Sequence, residues 1–191
     1  LAVCDPFTTR RENFAKFIEN HYATEFDEKL VCQPYLDFEE ILERKDIDAV
    51  HISTGDYWHL PIAIKAAQAG KHIYLEKPLG LSLDNMLILE KEAKKNKVHF
   101  HYGTQQRSLT HCQNGIEMIR SGRLGEISYV DVWAPEGSGS PVKPDDKIIP
   151  DGFDFDRWLG PAPLAEYSFA RCRSATGVYH TYDYAIGFIA G

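Results

Sequence analysis

Glycine is missing from the first 54 residues; the first to appear is Gly55. That stretch holds no Gly-rich turn of the kind that cradles phosphate at a strand-to-helix junction. Apolar runs are short as well, and none approaches the ~18–20 residues that a membrane-crossing helix needs. No secretory signal is visible. Positive charge is in deficit: 21 Lys and Arg stand against 28 Asp and Glu, a net charge of −7. That balance argues against a nucleic-acid partner, which favours a basic face. Cys4, Cys32, Cys112 and Cys172 form no Cys-x-x-Cys pair. Their wide spacing is unlike a small disulfide scaffold, so buried free thiols in a reducing compartment are expected. His99 and His101 share one side of a strand, with His111 not far along, but no His-Glu-x-x-His motif or Cys/His cluster joins them. Metal binding is not expected. A Gly-x-Ser-x-Gly elbow is also lacking, which argues against a serine hydrolase.

The chain has 191 residues, 43% of them hydrophobic, enough for a sizeable core and for one domain or one and a half. Residues 1–4 form an apolar strand fragment ending at Asp5-Pro6. Thr8 or Thr9 can cap a helix to about residue 20, with Phe14, Phe17 and Ile18 on one face. Asp37 can cap a short helix carrying Phe38, Ile41 and Leu42. Residues 48–53 read as a short buried strand and 58–69 as a helix, with Gly70 suited to its end. A strand over 71–75 and a helix over 82–96 follow; Leu83, Met86, Leu87, Leu89 and Ala93 are candidates for the buried side of that helix. A strand over 98–102 and a helix over 110–121 complete the series, which ends at Gly122. Strands alternating with helices at this spacing predict βαβ units, a parallel sheet and right-handed crossovers. The pattern changes after Gly125. Residues 127–133 alternate and read as a longer, half-exposed strand opening a more antiparallel region. Residues 135–163 are rich in Pro, Gly and Asp and read as a long surface loop, anchored at Trp158-Leu159-Gly160-Pro161. No internal repeat or low-complexity tract is present.

Four constellations can carry chemistry. Asp5 follows a strand, where an acid can hydrogen-bond ribose hydroxyls; it can equally just start a turn with Pro6. Ser53-Thr54-Gly55-Asp56-Tyr57-Trp58-His59 lies where a strand gives way to a helix. Backbone amides there can face phosphate, and Tyr57 and His59 can line a groove; the alternative is an ordinary helix start with Trp58 in the core. Glu76-Lys77-Pro78 closes an apolar strand, so a lysine stands at the carboxyl edge of a parallel sheet. Pro78 restricts Lys77 to extended backbone, and a cis bond is open to the pair and would aim the lysine differently. Glu76 can orient the ammonium, which can stabilise alkoxide charge or pass a proton; a lysine is otherwise a solvated surface group. Tyr102-Gly103-Thr104-Gln105-Gln106-Arg107 ends the next strand. It can bind a carboxamide, sugar or phosphate, or Arg107 can serve a structural ion pair.

In order and spacing these pieces resemble the glucose–fructose oxidoreductase / inositol dehydrogenase / MocA (Gfo/Idh/MocA) family. The anchors are Asp5, Thr54-Gly55-x-x-Trp58-His59, Ala69-Gly70-Lys71-His72, Glu76-Lys77-Pro78 and Gly103-Thr104-Gln105-Gln106-Arg107. Gly122-Arg123-Leu124-Gly125-Glu126-Ile127 and Trp158-Leu159-Gly160-Pro161-Ala162-Pro163 agree as well. The resemblance implies an α/β fold: a Rossmann-like, doubly wound parallel sheet, here lacking its first βα unit, then the start of an α/β domain with an open antiparallel sheet. The division expected is 1–124 for the dinucleotide-binding domain and 125–191 for the start of a substrate and oligomerisation domain.

The resemblance further implies an NAD(P)-dependent oxidoreductase acting on a sugar, polyol or related hydroxyl compound. Lys77 matches the catalytic lysine and also the substrate side. Asp5 matches the ribose contact; Thr54, Gly55, Tyr57, His59, Glu76, Lys77, Pro78 and Gln105 match the cofactor cleft. Arg171 and Asp183 are substrate-side candidates, because Tyr182-Asp183-Tyr184 followed by Gly187 resembles the approach to the second catalytic motif. The residue expected after that motif, and the Gly-rich loop, are not in the chain, so an internal stretch of a longer enzyme is expected. NAD is favoured over NADP: Asp5 would repel a 2′-phosphate, and Arg10 and Arg11 lie a turn or more beyond it along the sequence. A homo-oligomer, dimer or tetramer, and a cytoplasmic location follow by analogy, export being left open. Two other readings compete. One is a non-catalytic binding protein on the same scaffold. The other is an NAD-dependent glycosidase that oxidises its sugar only transiently.

Overall fold

The computed structural model describes residues 1–133, 147–172, 175–179 and 181–185. Short strands alternate with helices: β1 (Ala2–Cys4), α1 (Thr8–Glu25), β2 (Gln33–Tyr35), α2 (Phe38–Glu43), β3 (Ala49–Ile52), α3 (Asp56–Gln68), β4 (His72–Glu76), α4 (Leu83–Asn96) and β5 (Phe100–Gly103). A 3₁₀ turn, Gln105–Ser108, leads into α5 (Thr110–Arg120). Three short helices follow, α6 (Phe155–Leu159), α7 (Phe169–Cys172) and α8 (Ala175–Tyr179). Among the described residues the strands pair in parallel, as the alternation predicts: β1 with β2, and β3 with β4 with β5. β1 and β3 both line a cavity of about 1420 Å³, through Val3, Cys4, Val50 and Ile52 among others.

The main core lies between one face of β3–β4–β5 and the pair α3 and α4. Ile52, Ile73 and Leu75 point into it from the sheet; Leu60, Ala63, Ala66, Ala67 and Leu89 meet them from the helices. The three alanines leave α3 a smooth surface that can lie close to the sheet. Each large side chain buried this way contributes ~1.5–3 kcal/mol of transfer free energy. The period of two sends the alternate residues to the other face, where the rings of His51, Tyr74 and His101 line up across three strands at 5.0 Å centroid spacing.

Local chemistry accounts for the element ends. Asp37 caps α2 by accepting from Glu39 N at 2.9 Å, and Ser82 caps α4 by accepting from Asn85 N. Gly70, at φ 75°, ends α3. The buried ammonium of Lys71 donates to the Arg44 and Ile47 carbonyls just past α2, so it is satisfied where it sits. All four cysteines are unpaired; Cys32 and Cys172 are buried, Cys4 and Cys112 half-buried. No described helix is long and apolar enough to cross a membrane.

The structure corrects four expectations. Neither Thr8 nor Thr9 caps α1: Phe7 is the cap residue, and its amide donates to Asp5 Oδ1 at 2.7 Å. Phe14 and Phe17 do share one face of α1, their rings 5.9 Å apart, and are 53% and 62% exposed because that face borders the cavity. On α4, Leu83 and Leu87 are exposed, while Leu89 and Met86 make the contact with α3 and the sheet. Residues 127–133 are exposed and form no strand, since no described segment offers them a ladder partner. Of the loop expected over 135–163, residues 135–146 lie outside the described residues; the remainder includes α6, and Asp154 caps it by accepting from Arg157 N.

The segment around α6 is strapped back onto the start of the chain. Phe7 and Phe153 stack at 3.9 Å and 6°, and form an isolated antiparallel bridge. Thr8 N donates to Gly152 O, and Asp154 N to Pro6 O. Phe155, Leu159, Tyr167 and Tyr184 join Phe7, Phe153 and Tyr57 in a second core. Gly160 makes the approach possible: a Cβ there would fall 2.0 Å from the Trp58 ring.

Candidate active site

Because the strands are parallel, their carboxyl ends open at one edge, and the loops leaving them collect there. The register sets Ile52 beside Leu75 and Glu76 beside Gly103. Thr54-Gly55, Lys77-Pro78 and Thr104-Gln105 therefore leave neighbouring strands side by side. The strap supplies a further wall: Asp154, Arg157 and Trp158 line the same cavity as Asp5 and Thr54.

Lys77 is half-buried, and its peptide to Pro78 is cis. Its amide donates to Glu76 Oε2 at 3.3 Å. Its positive charge acts on Asp56, which is only 5% exposed in the first turn of α3. Burial pushes the Asp56 carboxyl up, and the charges of His59 and Lys77 pull it back. Sequence reasoning passed over Asp56 as a site residue. The available signal was an acid in a helix first turn, one strand away from a strand-end lysine.

The other expected residues divide into two groups. Asp5 is half-buried; burial raises its carboxyl, while the Phe7 amide, Arg10 and Arg11 oppose that rise. Its Oδ1 is taken by Phe7 N, and among the described residues Oδ2 accepts no hydrogen bond. Thr54 is exposed and Gly55 is the residue before α3, its carbonyl accepting from Trp58 N. Gln105 is exposed on the 3₁₀ turn, and Glu76 lies 3.8 Å from His51 Nε2. These residues present open polar atoms at the sheet edge.

Tyr57 and His59, by contrast, are buried and engaged with protein groups. The Tyr57 hydroxyl donates to Trp158 O at 2.5 Å, and burial, with Tyr184 and Cys172 adding to it, pushes that phenol strongly up. His59 sets Nδ1 2.6 Å from Pro78 O and Nε2 3.1 Å from Thr54 O. Arg171 is half-buried near Tyr184 and Cys172, and Asp183 is exposed in a turn. Among the described residues no hydrogen bond or ion pair joins either to Lys77. Gly187 lies outside the described residues.

Two arginines stand closer to Asp5 than their sequence distance suggested. Arg11 Nη1 donates to Asp5 O at 3.1 Å and its Nη2 to Thr8 Oγ1; the Arg10 guanidinium lies 4.5 Å over the Phe7 ring. The helix turns both back toward the acid, which weakens the argument for NAD over NADP. Burial, with Asp37 and Asp5 adding to it, pushes the Cys4 thiol up to about 11, so it is a neutral packing group that donates to Leu36 O. Among the described residues no group of three or more His, Cys, Asp or Glu is arranged to hold a metal.

Comparison with known proteins fits this geometry. The Gfo/Idh/MocA oxidoreductase family, described by its NAD-binding Rossmann fold, matches residues 2–104. An alpha-N-acetylgalactosaminidase of Shewanella oneidensis is 33% identical over 100 residues, covering 49% of this chain and 20% of its own. Among solved structures, an NAD-binding protein from Listeria innocua is 27% identical with a TM-score of 0.52, covering 62% of this chain and 30% of that one. The WlbA dehydrogenase of Bordetella pertussis, in complex with NADH and UDP-GlcNAcA, shares the fold at 23% identity and a TM-score of 0.53, over 65% of this chain and 33% of that one. The chain spans about a fifth of the length of the curated relatives it matches. With more than half of its residues inside the family match, and with parallel βα units opening on Lys77, the chain belongs to the Gfo/Idh/MocA oxidoreductase family, whose members carry an NAD-binding Rossmann fold.

Proposed function

We propose that this protein takes part in NAD(P)-dependent oxidoreduction at a CH–OH group of a sugar, polyol or related compound. The observation that carries the reading is Lys77, a half-buried lysine at the carboxyl edge of β4 whose charge acts on the buried acid Asp56. The residues present suit a dinucleotide in part. Asp5 has a carboxylate oxygen open to ribose hydroxyls, and the Thr54-Gly55 turn leads into the amides of α3. A Gly-rich turn is not among the described residues.

A bound nicotinamide supplies the acceptor or donor of hydride. Lys77 holds the reacting hydroxyl and takes or returns its proton, with Asp56 as countercharge. Glu76 fixes the Lys77 backbone; Pro78, Thr54 and Gln105 border the ring site. Tyr57 and His59 shape the cleft from beneath it. Arg171 and Asp183 are proposed for the substrate side. The units proposed are 1–124 for the cofactor and 125–191 for the substrate and for self-association as a dimer or tetramer. Four unpaired thiols suit a reducing compartment such as the cytoplasm.

The test incubates the native protein with NAD or NADP and a panel of polyols, sugars and sugar acids, following reduced nicotinamide. Turnover that Lys77→Met lowers by about a hundredfold or more, with cofactor affinity kept, is expected for a proton-handling group. Full activity in that variant would remove Lys77 from the chemistry. The names of the curated relatives favour a second reading, an NAD-dependent glycosidase. Release of sugar from an aryl N-acetylgalactosaminide, dependent on dinucleotide but without net reduced nicotinamide, would establish it over the first.

A further inference from the structure

The loop that carries Lys77 is braced from one side by the first turn of α3. His59 is 1% exposed, and its two ring nitrogens face the carbonyls of Pro78 and Thr54, one on each loop. The β3–β4 register runs only from Ala49–His72 to Ile52–Leu75, so both carbonyls stand beyond it. Pro78 has no amide proton, and the Lys77 amide has only the Glu76 carboxylate at 3.3 Å. Leu60, the next residue along, fills the space beside Gly80, where a Cβ would fall 2.4 Å from Leu60 Cδ1. Asp56, from the same turn, is the buried acid on which the Lys77 charge acts.

We infer that His59 is a positioning residue. It clamps the chain leaving β4 to the chain leaving β3, and so sets where the Lys77 ammonium stands. The inference deepens the oxidoreductase reading and rests on it for the role of Lys77. Of the two contacts, Nδ1 to Pro78 O is the shorter, at 2.6 Å against 3.1 Å for Nε2 to Thr54 O, so Nδ1 is the nitrogen held more closely. The clamp therefore acts mainly on the residue next to Lys77.

Two variants separate this role from mere packing. The amide nitrogen of an asparagine overlays Nδ1, and that of a glutamine overlays Nε2. His59→Asn should therefore keep the Pro78 contact, and His59→Gln should lose it. The first readout needs no substrate: the rate at which acetic anhydride labels Lys77 in the full chain, read by peptide mass spectrometry. Wild type and His59→Asn should agree within about twofold, and His59→Gln should differ by about tenfold, as expected where a loop moves a reacting group by ~1 Å. The second readout is turnover: kcat should fall by roughly tenfold to a hundredfold in His59→Gln with cofactor KM kept, and recover in His59→Asn. Equal labelling of Lys77 in all three proteins, or equal change in both variants, would overturn the clamp. Nitrogen NMR of histidine in the unsubstituted protein gives an independent check. A protected Nδ1–H on His59 supports the clamp, and an Nε2–H tautomer overturns it. Labelling that follows the clamp in a protein that transfers no hydride would leave the clamp standing and remove the oxidoreductase reading.

Discussion

At Asp5 stability and binding pull in opposite directions. Burial raises its carboxyl against the pull of the Phe7 amide and the two arginines. The folded protein thus holds this proton more tightly than the unfolded chain, and the stability linked to Asp5 falls as pH rises through that interval. At neutral pH the charge is a net cost. Asp5→Asn keeps an oxygen for the Phe7 amide, so it should raise Tm at pH 7. The gain over wild type should close as pH drops below the ordinary aspartate range. The same change should weaken dinucleotide binding by about tenfold or more, the worth of a charged hydrogen bond; unchanged affinity by titration calorimetry would take Asp5 out of the site. Residues of this kind were unevenly legible. Lys77 could be read because its cues are local: an apolar strand before it and proline after it. Arg11 could not, because only the turn of α1 brings its guanidinium back onto Asp5. The engagement of His59 depends on two carbonyls, one from each of two loops, and no spacing rule reports that.

Among the elements, β4 is the best determined. It is paired on both sides, and Leu75, next to its carboxyl end, is fully buried. Leu75→Ala should cost about 2–5 kcal/mol in denaturant unfolding, the range for a leucine cut back in a packed core. A cost under 1 kcal/mol would mean that the α3–α4 layer is loosely held. The helix α6, packed through Phe155 and Leu159, is also tied to the cap of α2 by the Arg157–Asp37 pair at 2.7 Å. Burial opposes ionisation of Asp37, but the Glu39 amide and Arg157 prevail and hold its carboxyl low. Its contribution is present above the ordinary aspartate range and lost as pH falls through the lowered value. Arg157→Met should cost only about 0.2–1 kcal/mol at neutral pH, because the pair is partly solvated. The difference should vanish in acid; a gap that persists at low pH would assign the effect to lost packing by the arginine stem. What sequence left unread about the elements has one cause. Periodicity marks an apolar face on α1 and an alternating run over 127–133, but it does not say what stands opposite. Where nothing described does, Phe14 and Phe17 stay exposed and no ladder forms.

Across the whole molecule, the βα units are joined by contacts close in sequence, while the strap joins residues far apart. Phe153→Ala should therefore act selectively. Amide exchange in β3, β4 and β5 should be unchanged, while exchange in residues 5–8 and 152–159 accelerates and dinucleotide affinity falls. Faster exchange throughout would mean that the strap and the sheet unfold as one unit. The Phe7–Phe153 stack also has a place in time. It closes a loop holding most of the chain, and the entropy lost in such a closure rises with loop length. Units with local contacts assemble early, and a closure of this reach comes late. A nascent or partly opened chain then has its sheets in place before the far wall of the cleft arrives. Any ligand of that cleft selects the finished fold and draws the last step of folding forward by mass action.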